Sequence, residues 1–209
     1  MREGPGGAER VLVDPNPMRS DGTASLDRWF PSRDGSLLAY GISEAGSEMA
    51  TLRVMRVDSG EVLPDTIPYA RHSSVAWEPD GAGFFYTRQP EPGTVPKGDE
   101  SYYSRVYHHE LGKDPSEDPL VWGEGRDKTD IPAVALSPNG RYLATERQEN
   151  ARQQIIVVDL TAPAQPPKVW QHPEATHSVS HLWSPDSRYL AFLLRDGTDY
   201  EEATQGLGV

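Results

Sequence analysis

Chemistry in this 209-residue chain would have to come from six histidines, 32 carboxylates and one serine flanked by glycines, because there is no cysteine. Thiolate metal centres, disulfides and cysteine nucleophiles are thereby excluded. The serine lies in Gly41-Ile42-Ser43-Glu44-Ala45-Gly46, one residue longer than a G-x-S-x-G nucleophile elbow and leading into a strand. The elbow needs a strained strand-to-helix turn that lifts the hydroxyl toward an oxyanion hole, so Ser43 reads as part of a turn. His108-His109, taken with His172, His177 or His181, invites a metal reading. Adjacent strand residues point to opposite faces, however, so His109 is expected inside the packing and His108 at the surface. The carboxylate pairs Glu117-Asp118 and Glu201-Glu202 read as solvated charge, since acid-base catalysis needs a group held within reach of a reacting proton. No metal and no cofactor are expected.

The charge balance narrows the partners. With 32 acidic against 20 basic side chains the formal charge is -12, which repels polyanions and argues against nucleic acid or an anionic membrane as partner. No apolar run approaches the ~20 residues that span a bilayer. Met1 to Arg10 lacks the hydrophobic stretch of a secretory signal, so a cytoplasmic location is the expectation. Nineteen glycines and nineteen prolines imply many short elements separated by turns.

Four segments that share one pattern organise those elements. They are Pro31 to Tyr40, Trp77 to Tyr86, Leu136 to Thr145 and Trp183 to Phe192, each reading as strand, tight turn, strand. Asp or Asn caps the turn, and a following Gly accepts a positive φ in three of the four. The capping residues stand at 34, 80, 139 and 186, steps close to the roughly 40 to 50 residues of a propeller blade. The longer middle step contains the Pro/Gly-rich loop Pro90 to Asp99. A third strand follows each of the first three hairpins, at Thr51 to Val57, Arg105 to Leu111 and Gln154 to Leu160. A short fourth follows at Glu61 to Leu63, Leu120 to Trp122 and Lys168 to Trp170. In the third strands Val57, His109 and Val158 share one register, while Val54, Val106 and Ile155 point the other way by the period of two. Trp77 and Trp183 share one repeat position and are expected in the core.

The expected fold is therefore all-β: a partial β-propeller of about three complete four-stranded blades plus an incomplete fourth. Residues 1–24 lead into it as an extension; the blades run at about 25–70, 71–125, 126–175 and 176–209. In the last, Ser180 to Trp183 and Tyr189 to Leu194 supply two strands, and the polar, glycine-rich end from Arg195 to Val209 supplies none. Such an array has open ends, so the chain is expected to be a piece of something larger and to self-associate or be partly unfolded, with Thr176 to Val209 its least protected part.

Several short segments resemble, in order, the propeller of the prolyl oligopeptidase family. They are Val11-Leu12-Val13-Asp14-Pro15-Asn16, Ser20-Asp21-Gly22-Thr23, Ala39-Tyr40-Gly41-Ile42-Ser43-Glu44-Ala45-Gly46-Ser47-Glu48, Leu63-Pro64-Asp65, Gly83-Phe84-Phe85-Tyr86 and Val106-Tyr107-His108-His109-Glu110-Leu111-Gly112. The resemblance implies a propeller that covers the active site of a C-terminal α/β-hydrolase domain, admits short proline-containing peptides and leaves cleavage after proline to a Ser-His-Asp triad in that domain. No triad residue is assignable here, so this part is expected to be inactive alone and to act in gating and substrate selection. The resemblance also implies that Asp65 faces the active-site cavity and shapes the field felt by substrate. A different class of reading is a non-catalytic propeller scaffold for protein partners.

Overall fold

The computed structural model describes residues 1, 4–149, 152–171, 177–195 and 203–208. Four antiparallel meanders follow one another along the chain. The first sheet comprises β1 (Ser25–Pro31), β2 (Leu37–Ser43), β3 (Thr51–Arg56) and β4 (Val62–Ile67); the second β5 (Val75–Trp77), β6 (Gly83–Arg88), β7 (Arg105–Glu110) and β8 (Leu120–Trp122). The third comprises β9 (Val134–Leu136), β10 (Tyr142–Glu149), β11 (Arg152–Asp159) and β12 (Lys168–Gln171). In the fourth, β13 (His177–Trp183) and β14 (Tyr189–Arg195) are joined by β15 (Ala203–Gly208). This third strand was not expected. The segment lacks the alternating apolar pattern by which strands are recognised, yet it pairs along β14 from Tyr189↔Gly208 to Leu194↔Ala203.

The repeated turn explains the repeated hairpin. In the first, Ser32 Oγ donates to Asp34 Oδ1 at 2.7 Å and accepts from the Leu37 N–H at 2.9 Å, and the Ser36 N–H donates to the same Asp34 oxygen. Ser137 with Asn139, and Ser184 with Asp186, repeat this. Gly35, Gly81 and Gly140 hold the left-handed position that closes each turn, at φ +75°, +71° and +74°. The fourth turn places Ser187 there at φ +61°. A side chain in that region is strained, but Ser187 Oγ accepts the Asn139 N–H of the preceding turn at 3.0 Å, so the strained residue also joins two sheets.

Side chains of successive sheets interlock face to face. Leu37, Ala39, Leu52, Val54 and Ile67 of the first meet Phe84 and Tyr86 of the second. Phe85 and Val106, on the other face of the second, meet Val134 and Leu143 of the third. Ala144, Ile155 and Val157 of the third meet Trp183 and Leu190 of the fourth. The third-strand register is the expected one: Val54 and Ile155 face the next sheet, as does Val106, while His109 and Val158 face the one before. Val57 likewise faces away from the second sheet, in a cluster with Leu38, Tyr40, Ile42 and Met55. That face is covered by the N-terminal extension: Leu12 and Val13 pack on it, and the Arg10 guanidinium donates to the Asp58 and Val57 carbonyls. The first strands of all four sheets are neighbours in turn. The Trp77 indole N–H donates to the Phe30 carbonyl of the first sheet at 2.9 Å, and the Trp183 indole N–H to the Ala135 carbonyl of the third at 3.0 Å.

Candidate functional site

Convergence of the first strands creates a groove of about 520 Å³ at their C-terminal ends, lined from every sheet. Trp29, Trp77, Pro138, Leu182 and Trp183 make it largely apolar. Trp29 and Leu182 are 62% and 70% exposed, unusual for side chains of their size on a strand. Arg33 is the charged residue of the lining, and its Nη1 is held by the Pro138 carbonyl at 2.7 Å. At the other end of β1 a second cavity, of about 400 Å³, is mixed, with Asp27, Arg28, Glu48 and His72 among its walls beside Leu26 and Leu52. The groove's apolar and aromatic lining with few polar groups suits binding by contact, and its one hydroxyl, that of Ser137, is committed to the turn through Asn139 and the Tyr142 N–H.

Ser43 ends β2 and is buried, its Oγ donating to Asp27 Oδ1 at 2.8 Å, and the chain then turns through Ala45 and Gly46 at positive φ into β3. It is a turn residue, as its sequence context implies. His108 is half-buried rather than at the open surface, with Nε2 3.0 Å from Glu78 Oε1 and its ring 4.7 Å from that of Phe85. His172, Glu201 and Glu202 lie outside the described residues, as do the side chains of His177 and His181.

The densest polar cluster is one that sequence reasoning divided wrongly. Asp65, on β4, is 4% exposed and buried against the second sheet. Its Oδ1 accepts from the Gly112 N–H at 2.6 Å and lies 3.0 Å from His109 Nε2. On the far side of the ring, His109 Nδ1 lies 2.9 and 3.0 Å from the Asp118 oxygens, and the Tyr86 hydroxyl donates to Asp118 Oδ2 at 2.7 Å. Asp118, expected as solvated charge, has a side chain only 3% exposed. The single turn of 3₁₀-helix at Pro115–Glu117 carries it inward, and Glu117 beside it stays outside the core. The clue was available: a histidine at a register position that is valine in the other sheets is buried, and a buried ring nitrogen requires a partner. Burial pushes the Tyr86 hydroxyl well above its ordinary range. The carboxylates sit on opposite ring nitrogens and do not converge on a point as metal ligands would. Among the described residues no group of three or more such side chains is placed to hold a metal ion.

The chain matches, over residues 1–191, the family model for the prolyl oligopeptidase N-terminal β-propeller domain. It is similar to prolyl oligopeptidase A of Galerina marginata, 31% identical over 172 residues that cover 74% of this chain and 23% of that protein. Prolyl endopeptidase of Elizabethkingia meningoseptica is 31% identical over 144 residues, 68% of this chain and 20% of the relative. Dipeptidyl aminopeptidase BI of Pseudoxanthomonas mexicana is 35% identical over 157 residues, 74% and 20% respectively. The chain thus spans about a fifth to a quarter of the length of these relatives. Among solved structures, prolyl oligopeptidase B of Galerina marginata bound to a 35mer hydrolysis and macrocyclization substrate superposes with a TM-score of 0.68 at 19% identity, covering 94% of this chain and 31% of that one.

Proposed function

Since the chain belongs to the prolyl oligopeptidase family through its N-terminal β-propeller domain, we propose that it is the gating and substrate-selecting part of a serine endopeptidase that cleaves short peptides after proline. The bond-breaking groups belong, in this reading, to a C-terminal α/β-hydrolase domain. The observation that carries it is the groove: one wall from each of four sheets, apolar and aromatic, with Arg33 as its charge. Such a surface can admit or refuse a peptide by width and contact. The chemistry nearby supports the division of labour, because His108 and His109 face carboxylates and Ser43 faces Asp27, leaving neither histidine beside a serine. Asp65 belongs to the wall between two sheets in this picture and influences substrate only through that wall. The test is to expose the purified 209-residue chain to a fluorophosphonate probe and a proline-containing reporter peptide. No labelling and no turnover are expected; stoichiometric labelling of any serine would overturn the proposal.

A further inference from the structure

The first and second sheets meet mainly through apolar side chains, and beside the Trp77 indole bond to Phe30 the polar link between them is centred on His109. Its side chain has no exposed surface, and it bridges Asp65 of the first sheet and Asp118 of the second. A neutral imidazole has one N–H and one lone pair, whereas an ionised carboxylate only accepts. Here the Gly112 N–H donates to Asp65, and the Tyr86 hydroxyl uses its one proton on Asp118. Both carboxylates therefore act as acceptors already, and a neutral His109 would turn its lone pair toward one of them. Only the doubly protonated ring donates on both sides.

We propose that His109 is a protonation-controlled latch between the first two sheets, closed while the imidazole carries both protons and loosened when it loses one. The groups that face it are Asp65 from β4, Asp118 from the segment before β8, and Tyr86 from β6, with the Phe84 ring 5.3 Å away. Further along the same face of the second sheet stand Arg88, whose guanidinium lies 4.6 Å from the centre of the Tyr107 ring, and Arg105. Burial opposes the charge on His109, but the hydrogen bonds and charges of Asp118 and Asp65 outweigh it and hold the imidazole above its ordinary value of 6.5. A group raised on folding contributes its full stabilisation below the unfolded value and loses it as pH rises through the folded one. The latch thus holds fully below the ordinary imidazole value and loosens as pH rises through the raised one. Beyond any role in admitting peptides, this makes the seam between β4 and β7 a place where the propeller wall yields to pH.

The test follows the ring and the seam together in the full chain. Nitrogen NMR of the His109 ring should show both nitrogens protonated at pH 6.5, and amide protection in β4 and β7 should fall at least about threefold relative to β10 between pH 6.5 and pH 9. Asp65→Asn should lower the pH at which the ring titrates, and His109→Gln should abolish the pH dependence of the seam. A ring that is neutral at pH 6.5, or a seam whose protection changes no more than that of β10, overturns the proposal. The wild-type measurements decide it even where a variant fails to fold.

Discussion

Replacing the turn glycines one at a time by alanine separates backbone strain from packing, because the three positions share a conformation and differ in surroundings. Gly35, Gly81 and Gly140 all lie near φ +70° to +75°, where a β-carbon costs about 1 kcal/mol. At Gly35 an added Cβ meets nothing within 4 Å, so Gly35→Ala should cost that strain alone. At Gly81 it would lie 3.7 Å from Leu37 Cδ1 of the first sheet, an ordinary contact whose burial offsets part of the strain, so the cost should be no larger. At Gly140 it would lie 3.2 Å from both Cδ and Cγ of Pro79. The proline ring belongs to the neighbouring turn and cannot rotate away, so overlap adds at least about 1 kcal/mol. The expected order of destabilisation is Gly81 at or below Gly35, and Gly140 well above both. With a urea slope of about 2 kcal/mol/M, the midpoints fall by roughly 0.5 M, 0.5 M or less, and 1 M. A Gly140→Ala midpoint equal to that of the wild type, or equal to that of Gly35→Ala, would refute the packing of the second turn on the third.

Trp77→Phe and Trp183→Phe should each lower stability by about 1 to 2 kcal/mol through loss of the indole hydrogen bond to Phe30 or Ala135. The two losses should add, as the residues lie in different sheets; denaturant midpoints of the single and double variants check both points. Removing residues 1–13 should uncover Leu38, Tyr40, Ile42, Met55 and Val57 and produce dye binding and concentration-dependent association by sedimentation. A trimmed chain that stays monomeric and binds no dye would show that Leu12 and Val13 do not cover that face.

The parts of this fold that were legible are those fixed within a few residues. The Asp/Asn-Gly turns state their own φ requirement, and alternation in the third strands assigns Val54 and Val57 to opposite faces before any sheet is placed beside them. What was not legible depends on segments far apart in the chain. Covering of the first sheet by Leu12 and Val13 brings together residues more than twenty positions apart, and an apolar tripeptide ahead of the first repeat carries no signal of where it docks. Asp65 and Asp118 look ordinary alone, and His109 stands out only by its register; their joint meaning arises where β4 of one sheet is laid against β7 of the next. β15 is held by pairing with β14, and a strand of Thr, Gln and Gly without alternation leaves no mark in composition.

The most direct test of the central claim is a chimera in which residues 25–195 replace the matching part of the propeller in a catalytically competent prolyl oligopeptidase. Hydrolysis is then measured on a short and a long peptide with the same proline site. If these sheets form a selecting wall, the folded chimera cleaves the short peptide and discriminates against the long one, and widening the groove by Trp29→Ala reduces that discrimination. A folded chimera that cleaves both peptides equally well, with or without Trp29, would contradict the account.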